Sequence, residues 1–145
     1  MMAPVEVDPR QFCAGRQSWE VRSDASAFPR LGQEFTQGSL FCRVAGETDP
    51  RGTMFLLLRI EGALTMACQR CLGEMRHPLA LDHRLVLARD AAELERLDAD
   101  PDCDAIPVEG RLDLIALIED EVLLSLPLAA MHAEGECPQG DAHIT

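Results

Sequence analysis

The sequence of 145 residues contains no lysine and no tyrosine, and only 4% of it is aromatic. With one Trp and five Phe, aliphatic side chains must fill the core of the folded chain. Rings that could stack on the bases of a nucleic acid are therefore scarce. At this length the chain is expected to form a single domain with one hydrophobic core.

Long apolar runs are also missing, and none approaches the roughly 18 residues of a membrane span. The longest run, Met54 to Leu58, is followed directly by Arg59. Near the start, Glu6 and Asp8 stand where a secretory signal would carry a basic end and an apolar stretch. These absences predict a cytosolic chain whose six cysteines stay reduced, which favours free thiols or metal ligation over disulfides.

Motifs typical of enzymes are absent as well: there is no Gly-rich phosphate loop, no GxSxG elbow and no HExxH pair. The run Glu119-Asp120-Glu121 does not form a catalytic pair, because successive helical residues point about 100° apart. His77 and His83 fall on or beside a predicted strand, and we interpret them as surface residues without a role. The sequence thus favours a non-enzymatic protein.

The net charge of −12 is unevenly distributed along the chain. Residues 1–89 hold 11 Arg against 10 acidic residues, whereas residues 90–145 hold two Arg against 15 acidic residues. The second portion is suited to attract a basic protein. Arg residues of the first portion could still contact phosphate at short range.

Residues 5–40 are interrupted by Gly and Ser and predict an arm with one or two short elements, near Ser18 to Val21. From residue 41 onward, short aliphatic runs are separated by glycines. They predict antiparallel strands joined by turns at Gly46, Gly52 and Gly62. These predicted strands are Phe41–Ala45, Met54–Ile60 and Ala63–Ala67. A further strand is predicted from Leu79 to Leu87, where apolar residues alternate with others.

The C-terminal half predicts an acidic solvated connector, an edge strand and one long helix. Residues 91–104 form the connector. Ile106–Val108 is placed at the sheet edge, because Pro107 cannot serve in a central strand. Residues 113–126 form the helix, with Asp113 as its N-cap and Pro127 ending it. The predicted fold is α+β, a mostly antiparallel sheet or partial barrel with one main C-terminal amphipathic helix (113–126).

Helical spacing places Leu117, Ile118 and Val122 on one broad apolar side that should pack on the sheet. Glu119 and Asp120 are predicted on the solvated face. Glu121 falls near the middle of the apolar side, where a charge requires a partner or access to solvent. Arg70 is one possible partner, and exposure at the edge of the sheet is the other interpretation.

The segment Cys68-Gln69-Arg70-Cys71 places two thiols at the spacing of a zinc knuckle. The remaining two ligands of a structural Cys₃His zinc site are most naturally His132 and Cys137, which share a short C-terminal stretch. Reduced structural thiols are the competing interpretation. Thiol redox chemistry would require the CxxC pair at a helix start in a βαβ unit, which the predicted strand order does not provide.

The combination of CQRCL at 68–72, DLIALIEDEVLLSLPL at 113–128, His132 and Cys137 resembles the YceD family over residues 41–138. This resemblance implies a division into an N-terminal arm (1–40), a YceD-like domain (41–138) and a tail (139–145). It also implies which residues of this chain are family motif residues. They are Cys68, Arg70, Cys71, Glu119, Glu121, Leu126, Pro127, His132 and Cys137.

The resemblance implies a cytosolic bacterial factor, without enzymatic activity, that is needed for accumulation of large-subunit (23S) ribosomal RNA. Its expected partners are a ribosomal protein, an RNA-processing factor or precursor ribosomal RNA. The first hypothesis is an adaptor whose acidic portion engages a basic protein. The second is a direct RNA binder with an Arg patch around a zinc knuckle, and a thiol redox protein is the third.

Overall fold

The computed structural model describes residues 3–35, 37–67, 71, 73–108 and 110–126. The strands are β1 (Glu6–Val7), β2 (Ser18–Asp24), β3 (Ser39–Thr48), β4 (Met54–Ala67), β5 (Glu74–Ala88), β6 (Asp104–Pro107) and β7 (Leu112–Asp113). The helices are α1 (Pro9–Ala14), α2 (Leu31–Glu34), α3 (Ala91–Asp98) and α4 (Leu114–Ser125), with a 3₁₀ turn at Ala25–Ala27.

The main sheet is open and has five strands in the order β2-β3-β4-β5-β6. The pairings from β2 to β5 are antiparallel, and β6 joins β5 in parallel after the chain has passed through α3. The predicted α+β fold with a mostly antiparallel sheet and a C-terminal helix is therefore confirmed. The predicted edge strand is also found, shifted to Asp104–Pro107.

Two of the three glycines that were expected to separate strands lie inside strands instead. The strand β4 runs without a break through Gly62, which has a φ of 144° and lies so close to the Ser39 carbonyl that a Cβ atom would clash. Gly46 lies inside β3. Glycine is required there because a Cβ atom would collide with the ring of Phe12 on α1. Only Gly52 lies in a turn, as predicted, with a φ of 84°.

The N-terminal residues contribute more structure than the one or two elements expected. Residues 5–35 form β1, α1, β2, the 3₁₀ turn and α2, and β2 is a strand of the main sheet. Phe12, Phe28 and Leu31 are almost completely buried in the same core as the strands. Their spacing follows neither a helical nor a strand period, so the burial depends on long-range packing.

The helix α4 covers the core-facing side of the sheet and packs on β4. Leu117, Ile118 and Val122 are buried, which confirms the predicted apolar side. Asp113 is its N-cap, since its Oδ1 accepts a hydrogen bond from the Ile115 N–H at 3.0 Å. The same oxygen accepts a bond from the Val5 N–H at 3.2 Å and so ties β1 to the start of α4.

The acidic connector makes little contact with the core. It contains α3, which buries none of its residues, and Asp90 caps this helix by accepting a hydrogen bond from the Glu93 N–H at 2.7 Å. The predicted solvated character of residues 91–104 is confirmed. Among the described residues, no helix is long and apolar enough to cross a membrane.

Candidate functional site

The predicted zinc ligands fall mostly outside the part of the chain that the structure describes. Cys68, Arg70, His132 and Cys137 lie outside the described residues, as does Pro127. Cys71 is described, and it is 2% exposed. Within the described ranges, no group of three or more His, Cys, Asp or Glu residues could hold a metal ion. The four-ligand site stays a prediction.

Glu119 is buried, with 2% of its surface exposed, and its predicted place on the solvated face is wrong. Its Oε2 accepts hydrogen bonds from the N–H groups of Arg30 at 2.5 Å and Leu31 at 3.0 Å. The N-cap residue of α2, Arg30, makes no side-chain capping bond of its own. The carboxylate of Glu119 therefore caps α2 from a distant part of the chain.

The side chain of Arg30 covers the same side of α4 from outside. Its Nη2 donates to Asp120 Oδ1 at 2.7 Å and to the Ala116 carbonyl at 2.9 Å, while its Nε lies 3.5 Å from Glu119 Oε1. The hydrogen bond to Asp120 is the main cause that raises the pKa of Arg30, and partial burial opposes it. Glu119 and Asp120 thus both hold α2 against α4.

Glu121 has a different partner from those considered in the sequence analysis. Its Oε2 lies 2.6 Å from Nδ1 of His83 in a hydrogen-bonded pair, and the two side chains are 14% and 40% exposed. His83 lies on the core-facing side of β5, opposite Leu58 of β4. The interpretation of His83 as a surface residue without a role is therefore wrong.

The sequence did contain a signal for His83. Leu79, Leu81, Leu85 and Leu87 alternate on one side of β5, and His83 occupies the middle position of that apolar series. A polar side chain in such a series requires a partner from the element packed above it. The partner here is Glu121 of α4.

A groove of about 420 Å³ opens beside the His83–Glu121 pair, between the C-terminal half of α4 and the edge of the sheet. We call it the α4–β6 groove. Its lining consists of His83, Leu85, Asp98, Cys103, Asp104, Ala105, Ile106, Glu121 and Leu124. Leu124 is 81% exposed, which is unusual for a large aliphatic side chain. Sequence reasoning missed this position, because Leu124 belongs to a helix that is aliphatic on several sides.

The rim of the α4–β6 groove is strongly acidic. Residues 90–104 carry seven acidic side chains and a single Arg, Arg96. This Arg lies 3.7 Å from Glu93 of its own helix. Among the described residues, Asp98 and Asp104 form no ion pair. The groove thus combines an apolar floor with two carboxylates that have no ion partner in the described part of the chain.

The outward face of the sheet differs, because its charges nearly balance. It carries five Arg against six acidic residues: Arg22, Arg43, Arg59, Arg76 and Arg84 together with Glu20, Asp24, Glu47, Glu61, Glu74 and Asp82. Arg22 stacks over the ring of Phe41 at 4.7 Å, and Arg84 stacks over Phe55 at 4.2 Å. A second groove, of about 460 Å³, lies on this face beside Arg22 and Arg76.

The buried thiols are poorly suited to nucleophilic or redox chemistry. Burial raises the pKa of Cys42 to about 12. Burial also raises the pKa of Cys13, whose thiol donates to the Phe55 carbonyl at 3.5 Å. Cys103 is only half-buried and borders the α4–β6 groove.

Comparisons with known proteins agree with one another. A family profile described as "Large ribosomal RNA subunit accumulation protein YceD" matches residues 56–143. A curated relative of the same name from Haemophilus influenzae (strain ATCC 51907 / DSM 11121 / KW20 / Rd) is 25% identical over 140 residues, which covers 92% of this chain and 78% of the relative. No solved structure gives a significant match.

Proposed function

Because the chain belongs to the YceD family, we propose that it supports the accumulation of large-subunit (23S) ribosomal RNA. The name of the Haemophilus influenzae relative supports this assignment. We propose that the chain acts in the cytoplasm as a non-enzymatic accessory factor in ribosome biogenesis. Its partner would be a basic protein, either a ribosomal protein or an RNA-processing factor.

The observation that carries this proposal is the contrast between the acidic α4–β6 groove and the nearly balanced face of the sheet. Phosphate groups are repelled by the acidic rim, and the sheet face offers no net positive charge to attract them. Basic proteins of the ribosome have the opposite charge to the rim. An adaptor that acts through a protein therefore fits the charge distribution better than a direct RNA binder does.

Depletion of the chain in its own host tests the function. We expect the ratio of large-subunit to small-subunit ribosomal RNA to fall, and the wild-type chain supplied in trans to restore it. The ratio is measured on total RNA by electrophoresis and by sequencing across the precursor ends. A ratio that stays constant during depletion would contradict the proposal.

Direct RNA binding is tested with the purified chain and a labelled transcript of the large-subunit precursor. The adaptor proposal expects weak binding with little dependence on salt. A direct binder that neutralises several phosphates would instead lose affinity steeply as salt increases. Tight and salt-sensitive binding would favour the second hypothesis of a zinc-knuckle RNA binder.

We also propose that Cys68, Cys71, His132 and Cys137 form a structural zinc site, as the CxxC spacing predicts. The burial of Cys71 supports a closed site that excludes water. Metal analysis of protein purified without chelator should find about one zinc per chain, and Cys71→Ser and Cys137→Ser should both lose it. Cys103→Ser is the matched control and should keep the metal. Absence of zinc from the wild-type protein would contradict this proposal and would mean that these residues serve only in packing.

A further inference from the structure

The α4–β6 groove has an apolar anchor point that the fold itself does not use. Leu124 lies in the last turn of α4 with 81% of its surface exposed, and the groove beside it is lined by Leu85, Ala105 and Ile106. Exposed apolar surface next to a concave apolar floor is typical of a binding site for another chain.

The charge around this groove specifies the kind of chain that fits. Asp98, Asp104 and Glu121 contribute carboxylates to the lining, and Asp98 and Asp104 have no ion pair among the described residues. Five further acidic residues belong to the same segment, 90–104. Such a field attracts Lys and Arg side chains and repels nucleic acid.

The His83–Glu121 pair forms one wall of the groove and keeps the Glu121 carboxylate in place. His83 is anchored on β5, so the 2.6 Å bond ties the helix to the strand beside the groove. A wall held in this way gives a bound chain a preformed surface instead of one that must first be ordered.

From these three observations we infer that the α4–β6 groove binds a Lys- and Arg-rich protein segment that places one large apolar side chain against Leu124. The inference rests on the proposed function, because it names the surface and the class of partner through which the accessory factor acts. The basic side chains of the segment lie against Asp98 and Asp104. The apolar side chain covers Leu124 and the groove floor.

The experiment uses the full chain and a synthetic basic peptide of about 16 residues with one central Leu, labelled with a fluorophore. Binding is followed by fluorescence anisotropy at near-physiological salt. We expect Leu124→Ser and Asp104→Asn each to weaken binding about tenfold, as the loss of a main anchor does in other interfaces. A peptide with Ser in place of the central Leu should bind the wild-type chain as weakly as the original peptide binds Leu124→Ser.

The matched controls distinguish peptide binding in the groove from general attraction between opposite charges. Glu20→Gln on the outward face of the sheet removes one negative charge, as Asp104→Asn does, and should leave peptide affinity unchanged. Bound peptide should also protect Cys103 from iodoacetamide, as measured by mass spectrometry. An equal loss of affinity in Glu20→Gln and Asp104→Asn would overturn the inference, as would an unprotected Cys103.

Other occupants are also outcomes of this test. A dimer in sedimentation experiments that is abolished by Leu124→Ser would identify a second copy of this chain as the occupant and would overturn the inference. Peptide binding reports on the groove alone, whereas the ribosomal RNA ratio during depletion reports on the proposed function alone. Failure of one is therefore distinguishable from failure of the other.

Discussion

Two sides of helix α4 use similar side chains for different purposes. On one side, Glu119 is 2% exposed and caps α2, with Arg30 and Asp120 closing over it. On the other side, Glu121 pairs with the half-exposed His83 beside a groove, and Leu124 lies in solvent. The first side is closed by contacts within the fold, whereas the second keeps apolar surface and charge available for a partner.

The difference arises from helix geometry together with the surroundings of the helix. Residues two positions apart on a helix point about 200° apart, so Glu119 and Glu121 face different neighbours. Glu119 faces the backbone N–H groups at the start of α2, and Glu121 faces a histidine on β5. The role of each carboxylate is therefore set by the element opposite it.

The largest effect is expected for Ile118, which lies between the two sides in sequence and is completely buried. Ile118→Ala removes buried aliphatic contacts and should lower the free energy of unfolding by roughly 2–5 kcal/mol. Urea denaturation measures this change in the free energy of unfolding. An unchanged midpoint and slope would mean that this side of α4 does not anchor the helix on the sheet.

On the closed side, Glu119→Ala should lower the free energy of unfolding by about 3 kcal/mol, because it leaves the N–H groups of Arg30 and Leu31 without their acceptor. Glu119→Gln keeps a carbonyl oxygen in place and should lose about half as much. Asp120→Asn is the comparison variant: it also weakens a contact with Arg30, but its side chain is 56% exposed, so the loss should be less than about 1 kcal/mol. Equal stability of Glu119→Ala and Asp120→Asn in denaturant would remove the case for a buried cap.

On the open side, Glu121→Gln should lower the free energy of unfolding by less than about 1 kcal/mol, since its partner His83 is 40% exposed and solvent screens the pair. Glu121→Gln should therefore be tolerated better than Glu119→Gln. Thermal denaturation of the Glu119→Gln and Glu121→Gln proteins under identical conditions measures the order. A larger loss for Glu121→Gln would reverse the comparison between the two sides.

The smallest effect on stability is expected for Leu124→Ser. The side chain is 81% exposed, so its replacement should change the free energy of unfolding by no more than about 0.5 kcal/mol. Chemical denaturation of the purified variant checks this value. A loss of more than about 2 kcal/mol would show that Leu124 belongs to the packed core instead of the open groove.

Local patterns were sufficient to predict α4 and the central part of β5. Asp113 followed by an aliphatic run predicted where α4 begins, because a capping carboxylate acts within its own first turn. The alternation from Leu79 to Leu87 predicted β5, because the two-residue period of a strand is a local property. The family resemblance likewise rested on motifs that are visible in the sequence, and the match over residues 56–143 confirmed it.

The roles of Gly46, Gly62 and Glu119 were decided only by tertiary structure. Each glycine is explained by an atom that approaches it from another element, Phe12 in one case and the Ser39 carbonyl in the other. Glu119 acquires its role from Leu31, which lies 88 positions away in the chain. The sequence by itself determined α4, the central part of β5 and the uneven charge, since each depends on residues near one another along the chain. Which carboxylate was buried as a cap and which was left beside an open groove depended on contacts between distant residues, which only folding brings together.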